Sequence, residues 1–291
     1  MFKGSAVAIV TPFDDNNTIN YDCMEKLLEF HLANETDAIV VCGTTGESAT
    51  LTDEEKISLI EFTVKKIAGR IPVIAGTGNN NTLHAKNLTR QAKNVGADAA
   101  LVVTPYYNKA TQSGLVEHYK MIAQEGLPII IYNVPSRTGL NILPQTYNDL
   151  LQIENIIGVK EASGNISQVA QIKSICKDDL YLYSGNDDQI VPVLSLGGSG
   201  VISVLANIFP KQVHQICENH FSGNSKESLK LQLEFLPLID NLFSDVNPIP
   251  IKTAMNMMGF EVGQCRLPLT KMTAENEKKL RSALEKFNRV A

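Results

Sequence analysis

Eight short apolar segments, rich in β-branched residues, recur along this chain of 291 residues and constrain its fold more than any other feature. Their centres lie about 20 to 35 residues apart, which is the span of one strand–helix unit. Strands that are apolar along nearly their whole length are buried on both faces, as in a parallel sheet covered by helices. The predicted strands are residues 6–10, 38–42, 73–75, 99–103, 129–132, 156–159, 180–183 and 201–205.

The segments between these strands carry the signals of helices. Thr52 and Glu55 form the sequence pattern of a capping box, apolar residues follow at helical spacing, and Gly69 ends the pattern. Eight such units predict a closed (β/α)8 barrel, because a doubly wound sheet more often ends at five or six strands. We predict that the barrel occupies residues 1–225 and that a C-terminal helical extension, residues 226–291, packs on it.

Composition limits the partners and cofactors that this chain can have. A net charge of -5 argues against nucleic acid or an anionic membrane as its main partner. No apolar run approaches the about 18 residues of a membrane span, and the N-terminus shows no signal-peptide pattern, so we expect a cytoplasmic protein. The five cysteines are widely spaced and lack a C-x-x-C pair, which suits reduced thiols. Because ligand-spaced histidines and phosphate- or dinucleotide-binding motifs are missing, we expect no metal and no cofactor.

Lys160 directly follows the apolar residues 156–159 of the sixth predicted strand, where a charged side chain is unexpected. A buried ammonium group is costly to desolvate, so a lysine in this place either finds a partner or loses its proton. A neutral lysine attacks carbonyl groups, which is the chemistry of Schiff-base enzymes. A lysine at the end of a strand can also extend its charged group into solvent. Its position alone therefore allows either a nucleophile or a surface lysine.

Other polar residues follow the strands at the same predicted rim, where catalytic groups of such barrels lie. The glycine-flanked turn at residues 43–46 can direct successive amide N–H groups at a carboxylate. Tyr132, one strand from Lys160, can transfer protons, and Arg137 can hold a carboxylate with two hydrogen bonds. Each feature also has an ordinary interpretation, namely a plain turn, a core tyrosine and a solvated arginine.

Longer motifs connect these residues. They are Gly-Thr-Thr-Gly-Glu at 43–47, Thr-Pro-Tyr-Tyr at 104–107, Tyr-Asn-Val-Pro-Ser-Arg-Thr-Gly at 132–139, Val-Lys-Glu-Ala-Ser-Gly at 159–164, Gly-Val-Ile-Ser-Val at 200–204 and Asn-Pro-Ile-Pro at 247–250. In these motifs the chain resembles the dihydrodipicolinate synthase family, within the N-acetylneuraminate lyase superfamily of class I aldolases. The resemblance extends from Gly4 to Pro268 and so covers nearly the whole chain.

The resemblance implies a catalytic set of four residues. Lys160 would form the imine with pyruvate, and Tyr132 would donate and accept protons above it. Thr44 would pass protons between Tyr132 and Tyr107. In the family the second tyrosine reaches in from a neighbouring subunit, so the resemblance also implies a homo-oligomer, either a dimer or a tetramer. The sequence by itself leaves open whether Tyr106 or Tyr107 enters the neighbouring site.

The resemblance also implies the substrates and the residues that bind them. Thr45 and the amides of its turn would bind the pyruvate carboxylate, and Gly185 and Ile202 would line the pocket. Arg137 would hold the carboxylate of L-aspartate 4-semialdehyde. The implied activity is that of a lyase of the diaminopimelate route to lysine, which joins the two substrates through a lysine Schiff base into 4-hydroxy-tetrahydrodipicolinate.

Two alternatives stay open on the sequence. Another pyruvate-dependent class I aldolase, such as a sialic acid or 2-keto-3-deoxygluconate lyase, would share the lysine, the tyrosine and the turn. Arg137 opposes this alternative, because a polyol aldehyde offers no carboxylate for a guanidinium to hold. The other alternative is a binding barrel that has lost catalysis. It is opposed by the presence of the whole catalytic set, Lys160, Tyr132, Thr44 and Tyr107.

The family resemblance bears on feedback control as well. Feedback-sensitive members bind lysine, the end product of the pathway, at a subunit interface. The matching positions here are Ser48, Ala49, Asp53, Lys56, Asn80, His84 and Tyr106. Sensitive bacterial members carry a histidine in place of Lys56 and a glutamate in place of His84. The resemblance therefore implies that lysine inhibits this protein weakly or not at all.

Overall fold

The eight apolar segments form eight parallel strands in the computed structural model, which describes residues 1–287 of the chain. The strands pair in chain order, and β1 also pairs with β8, so the sheet closes into a barrel. They are β1 (Gly4–Ala8), β2 (Ala38–Val41), β3 (Val73–Gly76), β4 (Ala99–Val103), β5 (Ile129–Asn133), β6 (Ile156–Glu161), β7 (Tyr181–Ser184) and β8 (Gly200–Ser203). The predicted (β/α)8 fold is confirmed.

Helices follow the strands and cover the outside of the sheet. Over residues 1–287 they are α1 (Tyr21–Ala33), α2 (Asp53–Ile67), α3 (Thr82–Asn94), α4 (Gln112–Ala123), α5 (Pro135–Thr138), α6 (Tyr147–Leu150), α7 (Ile166–Cys176), α8 (Ile190–Ser195), α9 (Pro210–Phe221), α10 (Ser225–Leu242), α11 (Ile249–Met257) and α12 (Ala274–Glu285). The predicted capping box begins α2: the hydroxyl of Thr52 accepts from the amide of Glu55, and the Glu55 carboxylate accepts from the amide of Thr52. Helix α9 packs against β1 and β8 as the eighth barrel helix.

Three helices follow the eighth strand–helix unit. Helix α10 packs on α8 and α9, and α12 packs on α10 and α11. The rings of Phe235 and Phe287 stack with centroids 4.6 Å apart, and Phe209 packs against both, so apolar contacts attach these helices to the barrel. We propose that the extension begins with α10. The predicted boundary at residue 226 falls inside that helix and stays a prediction, as does the course of residues 288–291, which lie outside the described residues.

The core has two layers because successive strand residues face opposite sides of the sheet. One layer lies between sheet and helices, and the other fills the inside of the barrel. The inner layer consists of Phe2, Ala6, Ala8, Ala38, Val40, Ile74, Ala99, Leu101, Ile130, Tyr132, Val134, Ala162, Tyr183 and Ile202. Since side chains fill the interior, a substrate can reach the barrel only at its ends, and the polar motifs lie at the C-terminal ends of the strands.

Two further observations concern the thiols and the length of the helices. All five cysteines are free, and four of them are buried. No helix within the described part of the chain is long and apolar enough to cross a membrane.

Candidate active site

Lys160 lies inside the barrel near the end of β6. Its Cα is paired in register with Tyr132 on β5 and with Tyr183 on β7, and only 5% of the residue is exposed. The ammonium nitrogen Nζ lies 4.4 Å from the centroid of the Tyr132 ring. Of the two interpretations that the sequence allowed, the structure therefore shows the buried lysine and not the surface one.

The environment of Lys160 favours its neutral form. Burial lowers the pKa of its amine to about 8, the charge of Arg137 adds to this, and the carboxylate of Asp187 opposes it. With a pKa in this range, roughly a tenth of the amine is neutral at pH 7, compared with less than about a thousandth for a lysine in water. The side chain is thus a nucleophile held in a mostly apolar pocket.

Tyr132 supplies a proton-carrying group beside this nucleophile. Burial raises the pKa of its hydroxyl, while the charge of Arg137 and a hydrogen bond with the Thr44 side chain oppose the rise. The hydroxyl therefore stays protonated at neutral pH and is linked to Thr44, on the turn that follows β2. A protonated phenol in contact with a second hydroxyl can donate a proton and be resupplied.

The turn at residues 43–47 lies at the mouth of the barrel. The hydroxyl of Thr45 is buried and accepts a hydrogen bond of 3.0 Å from Nδ2 of Asn247. As the acceptor of this bond, the hydroxyl can still donate its own hydrogen to a bound carboxylate. Gly46 permits the tight turn: a Cβ there would lie 3.1 Å from the carbonyl oxygen of Ile9.

A buried ion pair holds this turn, and no sequence pattern indicated it. Nζ of Lys252 lies 2.9 Å from Oε1 of Glu47, and the two side chains are 2% and 0% exposed. Lys252 also donates to the carbonyl of Gln264, and Oε2 of Glu47 accepts from the amide of Arg266. The C-terminal segment therefore fixes the turn that bears Thr44 and Thr45.

Arg137 is connected to the turn at residues 43–47 through Asn247, which bonds to both Thr45 and Arg137. It is carried by α5 at the end of β5, and its Nη2 donates a hydrogen bond of 3.1 Å to the carbonyl oxygen of Asn247. Its side chain is exposed and lines a cavity of about 660 Å³ together with Thr44 and Tyr132. A guanidinium with one hydrogen bond inside the protein keeps further donors for a carboxylate in that cavity.

Three predicted site residues remain: Gly185 lies near Lys160, Ile202 lies in the inner layer, and Tyr107 lies away from the cavity. A Cβ at Gly185 would lie 2.6 Å from Cβ of Ala162 and 3.2 Å from Cε of Lys160, so glycine avoids a clash beside the lysine. Ile202 is buried in the inner layer on β8. Tyr107, by contrast, is 89% exposed with φ of +75° and does not line the cavity, whereas Tyr106 does.

Asp187 is a functional candidate that sequence reasoning missed. It is buried in the short 3-10 helix after β7, and its Oδ2 accepts from the amides of Val204 and Leu205. Burial raises the pKa of its carboxyl, and the charge of Lys160 is among the effects that lower it. An acidic pair follows β7 in the sequence, but nothing in the spacing indicated which of Asp187 and Asp188 would be buried.

The fold and the site together define a class of protein. A (β/α)8 barrel that holds a buried lysine of lowered pKa beside a protonated tyrosine, with an anion-binding turn and an arginine at its mouth, has the parts of a Schiff-base-forming enzyme. A partly neutral amine can act as a nucleophile, a protonated tyrosine can donate protons, and an arginine can bind a carboxylate.

Comparison with known proteins specifies the class further. The model of the dihydrodipicolinate synthetase family matches residues 1–287. Relatives named 4-hydroxy-tetrahydrodipicolinate synthase include one from Caldicellulosiruptor saccharolyticus, 56% identical over 98% of this chain and 96% of its own, and one from Clostridium novyi, 53% identical over 100% and 98%. The crystal structure of dihydrodipicolinate synthase from Aquifex aeolicus superposes with a TM-score of 0.97 at 47% identity and covers 99% of each chain. The chain belongs to the dihydrodipicolinate synthetase family, and the predicted family and enzyme class are confirmed.

Proposed function

We propose that this chain condenses pyruvate with L-aspartate 4-semialdehyde, through an imine at Lys160, to give 4-hydroxy-tetrahydrodipicolinate for lysine biosynthesis. This is the activity predicted from the motifs, and the names of the relatives agree with it. The observation that carries the proposal is the buried amine of Lys160, with its pKa lowered to about 8, against the ring of Tyr132.

The reaction follows from the properties of the lysine. The neutral amine attacks the keto carbon of pyruvate, and the resulting carbinolamine loses its hydroxyl as water after taking a proton from Tyr132. The cationic imine then withdraws electrons, so the pyruvate methyl group loses a proton and becomes an enamine carbon. This carbon attacks the aldehyde of the second substrate. The amino group of that substrate finally attacks the imine carbon, which closes the ring and releases Lys160.

The other site residues have roles that fit their positions. Thr45 and the amides of its turn hold the pyruvate carboxylate, while Gly185 and Ile202 shape the pocket around the imine. Thr44 relays protons to and from Tyr132, and its hydrogen bond with that hydroxyl supports this role. Tyr107, the predicted second tyrosine of the relay, does not line the cavity of its own chain that Thr44 and Tyr132 line.

We propose that Tyr107 from a second copy of the chain completes the relay in a homo-oligomer. Its ring is 89% exposed in the single chain, and its backbone has the left-handed conformation that is strained for an aromatic residue. Strain of this kind persists where it serves a function. A ring exposed at this loop can serve the site of a neighbour, as the resemblance implied.

Mixing two inactive variants tests this shared site. Tyr107→Phe and Tyr132→Phe should each lose most turnover, because each breaks the proton relay at a different residue. A hybrid oligomer contains one site in which both tyrosines are present, so we expect the mixture to regain activity. The activity of the mixture is measured after subunit exchange has been verified by mass spectrometry. Exchange without recovery would contradict a site that is shared between subunits.

Arg137 is expected to select the second substrate. Arg137→Ala should weaken binding of aspartate semialdehyde by about 2–4 kcal/mol, the scale for truncating one partner of a charge-assisted pair. Trapping of pyruvate on Lys160 by borohydride should change much less, because Thr45 and its turn hold the first carboxylate. Steady-state KM for the semialdehyde and the trapping rate for pyruvate are the two measurements. Equal damage to both steps would show that Arg137 is structural.

Lysine is expected to inhibit this enzyme weakly or not at all. In the crevice lined by Ser48, Asp53, Lys56 and His84, the Asp53 carboxylate is already paired with both His84 Nε2 at 2.7 Å and Lys56 Nζ at 3.6 Å. An incoming amino group would have to displace these partners and would meet the like charge of Lys56. We expect half-inhibition above about 1 mM lysine in an assay of initial rate.

A reciprocal variant sharpens the test of this crevice. Lys56→His together with His84→Glu removes the like charge and supplies a carboxylate for an amino group, so it should increase sensitivity to lysine. Half-inhibition of the unmodified enzyme below about 1 mM would contradict the interpretation of Lys56 and His84.

A further inference from the structure

A buried polar cluster lies directly behind the lysine and the tyrosine. Glu161 and Asn133 are 2% and 0% exposed, and Nδ2 of Asn133 donates to both carboxylate oxygens of Glu161, at 3.2 and 2.9 Å. The amide of Ser163 donates to the same carboxylate at 2.8 Å, and Nε2 of Gln168 donates at 3.4 Å. A buried carboxylate is costly, and this one is retained with hydrogen-bond donors around it.

The cluster lies one residue beyond the catalytic pair on the same two strands. The register pairs Tyr132 with Lys160 and Asn133 with Glu161. Because side chains alternate along a strand, the first pair points into the barrel and the second pair points to its outer side. The contact between Asn133 and Glu161 therefore joins β5 to β6 immediately next to the groups that react.

The apolar pattern of these two strands does not by itself fix their register. At its start the pairing is irregular: Ile129 pairs with Ile156, but Ile130 pairs with Gly158, so Ile157 is passed over. Both strands are apolar on both faces in this region, and an apolar pattern without alternation does not specify which face points inward. A shift of one residue would turn Lys160 to the outside of the sheet.

The amide of Asn133 is itself held in one orientation. Its Oδ1 accepts from the amide of Ile142 at 3.1 Å, and its Nδ2 also donates to Oδ1 of Asn141 at 2.8 Å. Asn141 is in turn bonded to Gln168 in both directions. With its acceptor already engaged, Asn133 can present only donors to Glu161, and the pair depends on one side being an acceptor and the other a donor.

We infer that Asn133 and Glu161 are positioning residues, whose hydrogen bonds fix β5 against β6 so that Tyr132 meets the imine at Lys160. The inference rests on the proposed imine chemistry, and it assigns a function to two residues that touch neither substrate. It predicts that the match between donor and acceptor matters for catalysis, and that charge at residue 161 by itself does not.

An exchange of the two groups tests the inference. Glu161→Gln keeps the shape but turns an amide donor toward the donor of Asn133. We expect the rate of borohydride trapping of pyruvate on Lys160, and kcat, to fall by about 10- to 100-fold, since a misplacement of about 1 Å costs on that scale. In the double variant Glu161→Gln with Asn133→Asp, glutamine donates and aspartate accepts, with the net charge unchanged. We expect this variant to recover part of both rates, because the pair is matched again while Oδ1 of Asn141 loses the donor of Asn133.

A matched control separates positioning from stability. Asp37 accepts from the amide of Ser5 at 2.7 Å and from Nδ1 of His214 at 2.9 Å, and it precedes β2 at the opposite end of the barrel. Asp37→Asn is thus the same acid-to-amide change away from the site. It should lower the melting temperature and leave the trapping rate and kcat of the folded enzyme at wild-type values.

The outcomes are distinct. If Glu161→Gln lowers only the melting temperature, as Asp37→Asn does, or if the double variant recovers nothing, the inference is overturned. Should Glu161→Gln fail to fold, Asn133→Ser removes the donor while Glu161 keeps the amide of Ser163, and the same two rates decide. Failure of the wild-type enzyme to trap pyruvate on Lys160 would instead overturn the proposed function.

Discussion

Lys160→Arg is expected to lose turnover by about 10⁴-fold or more, the scale for removing a catalytic nucleophile. A guanidinium stays protonated at every pH at which the protein is folded, so it cannot attack the keto carbon of pyruvate. The variant should also give no adduct when it is reduced with borohydride in the presence of pyruvate. Mass spectrometry of the intact protein and peptide mapping measure both the amount of adduct and its position.

The pH dependence of trapping gives a second test of the same residue. Because burial lowers the pKa of Lys160 to about 8, the neutral fraction of the amine rises about tenfold per pH unit below that value and levels off above it. The rate of adduct formation in the wild-type enzyme should follow this curve. Lys65→Arg, on an exposed face of α2, serves as the control and should leave both rate and curve unchanged. An adduct on another lysine would contradict the mechanism.

Lys252→Met is expected to lower the free energy of unfolding by about 3–5 kcal/mol, the scale for breaking a buried ion pair by removing one partner. The change removes the bond from Lys252 and leaves the carboxylate of Glu47 buried opposite an apolar side chain. The amide of Arg266 and the thiol of Cys265 then remain as its hydrogen-bond partners. Urea denaturation followed by fluorescence or circular dichroism measures the loss. Since Glu47 ends the turn that bears Thr45, pyruvate trapping should slow as well.

Two controls define what Lys252 contributes. The double variant Glu47→Gln with Lys252→Met removes both charges, and it should be more stable than Lys252→Met alone because no unpaired charge stays buried. The pair formed by Lys66 and Glu25 is partly exposed, so Lys66→Met should cost at most about 1 kcal/mol. If Lys252→Met lowered the free energy of unfolding as little as Lys66→Met does, water would have to reach Glu47.

The strands show how far sequence patterns go. All eight were predicted, and their ends agree with the structure to within two residues. The first strand is displaced by two residues at both ends, predicted at 6–10 and found at Gly4–Ala8. Ile9 and Val10 are buried and apolar, but regular pairing of β1 ends before them. Apolar character reports burial, and burial continues past the last paired residue of a strand.

The sequence by itself determined the barrel, the family and the set of polar residues at one rim. It could do so because strand period and helix caps are local, and because parallel strands place all their C-terminal ends on one side. The roles of the site residues stay predictions, but the structure places Lys160, Tyr132, Thr44 and Gly185 together. These four are strand-end residues, for which local order and barrel closure are sufficient.

Only the tertiary structure decided the ionisation and the bonding partners of these groups. The lowered pKa of Lys160 arises from burial inside the closed barrel, and the partner of Glu47 lies 205 residues away in the chain. Contacts between distant segments also bury Asp187, place Asn247 between Thr45 and Arg137, and bring Asn133 against Glu161. Desolvation and pairing through space depend on which distant segments come into contact, and a local pattern of residues does not predict those contacts.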